Sequence, residues 1–171
     1  MFNTGSFKMI KESLLAQLEV SWALLEYHLK DLSAAEMNFE VTHPSLSTKG
    51  FPETEAYDIG MPTIAWTMWH IDFWWSMALE YNFGNGRLTV EDIDWPRDVG
   101  TAFSNLADLK SQWVKCISEM SEEEFARSKE GQWPLQNKPF YEVAGWLNLE
   151  LMKNAAEIGS VRFAYGVRKE K

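Results

Sequence analysis

Cysteine is almost absent. Cys116 is the only one in 171 residues, so no disulfide can close within the chain. Its neighbours Val114, Ile117 and Met120 suit a small buried hydrophobe. Positive charge is scarce as well: 16 lysines and arginines face 25 aspartates and glutamates, a formal net charge of −9. That argues against a general nucleic-acid binder, which needs a basic face to neutralise phosphates. It also disfavours anionic membrane surfaces. The nearest basic run, Arg168-Lys169-Glu170-Lys171, is expected to be a solvated chain end. No apolar stretch is long enough to span a bilayer, so no membrane role is expected. The first residues lack the basic-then-apolar order of a signal peptide, and cytoplasm is the expected compartment.

Aromatic residues are abundant instead, at 14%, with nine tryptophans. Large rings bury much area, which predicts a well-filled core. The length suits one domain over residues 1–171. Phe7, Ile10, Leu14, Leu18, Leu25 and Leu29 recur at helical spacing and predict a first helix over residues 7–32. Ser33 and Glu36 form a capping-box pattern that opens a short helix. Residues 41–58, with His43-Pro44, Gly50 and Pro52, read as a long loop that could cover a pocket.

A second long helix is predicted from Pro62, a residue suited to a first helical position, to about Tyr81. It is apolar all round, which predicts burial on most sides. A third covers 101–120, and Ser121 with Glu124 repeats the capping box. Residues 131–138 read as loop, and a fourth helix is predicted from Tyr141 to about Tyr165. No strand alternation is visible. The expected fold is all-α, a four-helix bundle with short extra helices.

The informative anomaly lies in the fourth helix. Val143, Leu147, Glu150, Leu151, Asn154, Ile158 and Val161 fall on one stripe that should face the core. Glu150 and Asn154 interrupt it, and a buried carboxylate needs a partner. His70 is the one imidazole inside the apolar second helix. If the two helices touch, His70, Glu150 and Asn154 form a candidate site for zinc, nickel, iron or manganese. Two metal-free alternatives stand beside this. Lys153 could pair with Glu150, or a neutral His70 could hydrogen-bond to it. His28, near the end of the first helix, suits a cation at the helix's negative end. His43 is expected to be solvated.

Trp69-His70-Ile71-Asp72-Phe73 and the segment from Ala144 to Gly159 resemble the second-helix and last-helix motifs of the DinB-like (DNA-damage-inducible) family. His70 takes the place of a metal-binding histidine there. Glu150 and Asn154 take the places of the other two. The resemblance implies an up-down-down-up bundle, a homodimer, and a divalent metal, zinc or nickel first, held by His70, Glu150 and Asn154. It implies a metal-dependent transferase or hydrolase, with thiol transfer to an apolar electrophile as one form and damage or stress response as a setting. Trp66, Trp74 and Trp146 would then line the pocket. Replacement of two histidines implies weaker metal binding. The alternative is a non-catalytic binding or structural module with a decayed site.

Overall fold

The computed structural model describes residues 4–51 and 57–169. Six α-helices run along the chain: α1 (Thr4–Leu29), α2 (Ala34–Met37), α3 (Ile64–Phe83), α4 (Val99–Glu119), α5 (Glu122–Phe125) and α6 (Phe140–Lys169). Among the described residues there is no strand, and no helix is long and apolar enough to cross a membrane.

The boundaries follow local chemistry. α1 ends at Leu29, before the expected 32, because Asp31 turns the chain out of the helix with φ 56°. Both capping boxes form as expected, at Ser33 with Glu36 and at Ser121 with Glu124. α3 begins after Pro62 rather than at it. The Thr63 hydroxyl accepts the Trp66 N–H at 3.2 Å and supplies the cap, leaving Pro62 just outside.

The four long helices bury one core. Leu18 and Leu25 of α1, Ile71 of α3, Trp113 and Ile117 of α4, and Leu147, Leu151 and Ile158 of α6 are all within it. α6 packs on α1 and on α3, and α4 packs on α3 and α1. Paired residues fix the directions. Leu14 meets Asn148 and His28 meets Arg162, so α1 and α6 run parallel. Phe83 packs on Phe140 and Trp74 on Trp146, so α3 opposes α6. Asp72 meets Asn105 and Phe83 meets Trp113, so α3 and α4 run parallel.

Two expectations need correction here. Cys116 is half-buried rather than buried. His28 is not a helix-terminal cation: burial, with the Arg162 guanidinium adding to it, lowers its pKa. Arg162 supplies the charge instead, donating from Nη1 to the carbonyls of His28 and Lys30 at 2.9 Å each. His43 is exposed, as its loop position predicts.

Candidate functional site

α3 presents His70 toward α6 inside a cage of rings. Trp66 stacks on the imidazole with centroids 4.5 Å apart. Phe51 and Trp74 meet it edge-on at 5.3 and 5.8 Å. The cage follows from spacing, since Trp66, His70 and Trp74 lie four residues apart on one helix face. The Trp74 indole N–H donates to His70 Nε2 at 2.8 Å. That bond makes Nε2 an acceptor, which places the proton of the neutral ring on Nδ1. Burial lowers the His70 pKa to about 3, with the Lys153 ammonium adding to the shift. His70 is therefore neutral at pH 7, and its Nδ1 is buried without a protein partner.

α6 supplies Glu150 and Asn154, one turn apart. The stripe predicted from the sequence is buried at Val143, Leu147, Leu151, Asn154, Ile158 and Val161. Glu150 stands at its edge, with 21% of its side chain exposed, because its charge leans to the rim. Lys153 Nζ lies 3.0 Å from Glu150 Oε2, whereas His70 Nε2 lies 3.9 Å from the same oxygen. The longer distance is no hydrogen bond, and a neutral imidazole makes no ion pair. The structure thus brings His70 and Glu150 together but gives each its own partner. Trp74 answers the histidine and Lys153 answers the carboxylate. Asn154 is 1% exposed, and its Oδ1 has no partner.

Tested as ligands for a divalent metal, these three side chains do not fit as they are placed. The Nε2 lone pair already receives an indole N–H, and the Glu150 oxygen nearest to it already receives an ammonium. A metal would have to displace both and sit beside the Lys153 charge. The neutral Asn154 oxygen has no partner, but an amide oxygen alone is a weak ligand for zinc or nickel. Among the described residues, no three His, Cys, Asp or Glu side chains group as a metal cage.

Beside His70 opens a cavity of about 580 Å³. Phe51, Met61, Trp66 and Val161 give it apolar walls, and Lys153 and Ser160 stand at its polar side. Much of one wall comes from the described parts of the 41–58 loop and the residues that follow it. The Trp66 indole N–H holds that loop by donating to the Gly50 carbonyl at 3.0 Å. Gly60, at φ +80°, leaves room for the Pro44 carbonyl that a Cβ would strike. Of the three tryptophans expected to line the pocket, Trp66 does. Trp74 and Trp146 are not among the lining residues: Trp74 donates to His70, and Trp146 packs edge to face on Trp74 at 4.8 Å.

Two contributors were missed in the sequence. Lys153 reads there as surface pairing, yet it lines the cavity and acts on His70. Asp72, two residues beyond His70, turns to the opposite side of α3. Ser76 Oγ and Asn105 Nδ2 donate to its two oxygens at 2.7 and 2.5 Å. Burial raises its pKa nonetheless. An aspartate in an apolar helix was the available signal.

No curated protein and no solved structure matches the chain. A family-wide description of the DinB superfamily does, over residues 17–158, a span that takes in α3, α4, the second half of α1 and the part of α6 that carries Glu150 and Asn154. With the helical bundle and the His70 motif in place, the chain belongs to the DinB superfamily.

Proposed function

We propose that this chain is a binding module that works without a metal and holds a small, largely apolar, uncharged molecule in the cavity beside His70. One observation carries this: the imidazole in the cavity wall is neutral and its Nε2 is already taken by the Trp74 N–H. The cavity volume of about 580 Å³ lies in the range of small-molecule sites. Lys153 and Glu157 oppose each other in charge among its lining residues, so neither sign of ligand is strongly favoured. His70 lines the cavity with a proton on Nδ1 that no protein acceptor takes, so a ligand with an oxygen acceptor suits it better than a hydrocarbon.

Acetophenone, an aromatic ketone, is a suitable probe. Titrated into the protein, it should shift the Trp66 and His70 resonances saturably. Ser160→Trp, a change at an exposed helical position lining the cavity, should abolish the response. Binding untouched by Ser160→Trp, or no saturable response, would overturn the proposal.

The second reading is a metal-dependent transferase or hydrolase, thiol transfer included, at His70, Glu150 and Asn154. It is favoured by the 3.9 Å approach of His70 and Glu150 and by the unpartnered Asn154 oxygen. It requires Trp74 and Lys153 to move away. Tag-free protein purified without chelator should be analysed by plasma mass spectrometry. Near one equivalent of zinc or nickel, lost in His70→Ala, would put this reading first.

A further inference from the structure

The opposite face of α3 carries a second cavity of different chemistry. It measures about 550 Å³ and lies between α3, α4 and the segment that joins them. Its notable group is Asp72. Ser76 and Asn105 each donate to that carboxylate, yet no lysine, arginine or histidine pairs with it among the described residues. A half-buried carboxylate fixed by two donors and lacking a cation presents unbalanced negative charge to the cavity.

Three further features give that charge a context. Asp92 and Asp94 line the same cavity with one cation, Arg97, and no ion pair joins Arg97 to an acidic group there among the described residues, although Thr89 donates to Asp92 and Lys49 acts on it from outside the lining. The half-buried ring of Trp95 adds an aromatic surface, which attracts cations through its electron-rich face. Trp69 also lines the cavity; it is 1% exposed, and its indole N–H has no acceptor. A buried N–H left without a partner is costly unless something else supplies an oxygen.

We infer that this cavity is a binding site for a small organic cation of the amino-alcohol class, with an ammonium held by Asp72 and Trp95 and an oxygen that accepts from the Trp69 indole N–H. A metal ion is a poorer occupant. The carboxylates lie among described residues in which no three acidic, histidine or cysteine side chains form a metal cage. An organic ammonium needs no converging lone pairs, only negative charge and an aromatic wall. The net charge of −9 also draws cations toward the protein.

Choline and its uncharged carbon isostere, 3,3-dimethyl-1-butanol, separate charge from shape. Calorimetry and amide-resonance titration of the full chain should show saturable choline binding, with shifts at Trp69, Trp95 and Asn105. The isostere should bind about tenfold or more weakly, because it lacks the charge that the aromatic face and the carboxylate attract. Asp72→Asn keeps the shape of the side chain and should weaken choline by a similar factor. Trp95→Leu provides a second variant at a half-buried position and should weaken choline while leaving the isostere unchanged. Equal binding of choline and isostere, undiminished binding in both variants, or no saturable choline response would overturn the inference.

Discussion

His70 and Asp72 are two residues apart on α3, yet they face opposite sides of the bundle and meet opposite solutions to the burial of a polar group. Toward α6, the imidazole is kept neutral, with one nitrogen bonded to an indole and a lysine ammonium nearby. Toward α4, the carboxylate is held by two neutral donors and no cation, and burial raises its pKa. The lesson is that the partner, rather than the residue type, decides what a buried titratable group can do. A histidine whose lone pair is taken is a poor metal ligand. An aspartate without a counter-ion invites one from solution.

The contrast can be broken most severely at Trp69. This ring lines the acidic cavity and also packs on Phe51 and Trp66, which wall the apolar one. Trp69→Ala should lower the unfolding free energy by about 3–5 kcal/mol, read by chemical denaturation. A loss under about 1 kcal/mol would mean that the two cavities do not share this wall.

The next effect concerns pH. His70 has a folded pKa of about 3, below the ordinary value of 6.5. Between those values the unfolded chain takes up a proton that the folded chain refuses. Stability supplied by the neutral ring is therefore complete above pH 6.5 and is lost as pH falls toward 3. Compared with His70→Gln, which keeps an acceptor for Trp74, the wild-type chain should lose about 1.4 kcal/mol more per pH unit in that window. Denaturation curves at stepped pH give the comparison.

Asp72 should show the reverse sign and a smaller size. Its folded pKa is raised, so its charged form opposes folding at neutral pH. The wild-type chain should gain stability relative to Asp72→Asn as pH falls through the folded value. Parallel curves for the two proteins would show that the carboxylate is not desolvated.

The smallest effect is expected at Lys153. Its pair with Glu150 is partly exposed, at 43% and 21% of the two side chains, so Lys153→Met should change stability by about 1 kcal/mol or less. The same variant should raise the His70 pKa, seen by imidazole titration. The rise should stop short of the ordinary value, since burial is the larger cause.

Much of the scaffold is legible from residue order alone. Periodicity locates all four long helices, and the Ser33 and Ser121 capping boxes locate the two short ones. Helix ends are less legible. Thr63 rather than Pro62 caps α3, and α1 stops where Asp31 adopts a left-handed turn. The proximity of His70 and Glu150 follows from a polar interruption in two apolar faces. Their separate partners do not. Choosing Trp74 for His70 and Lys153 for Glu150 depends on rotamers set by packing between helices, which spacing cannot encode. The second cavity is hidden for the same reason: Trp95 and Asp94 reach Asp72 only through the path of the α3–α4 connection.

Whether His70 is a neutral ring whose Nε2 is held by Trp74 is best settled by its two-bond proton–nitrogen correlation spectrum at pH 7, recorded with and without one equivalent of zinc. The account predicts a neutral ring protonated at Nδ1, with both nitrogen shifts unmoved by zinc. A zinc-dependent shift at Nε2, or a ring protonated on both nitrogens, would contradict it.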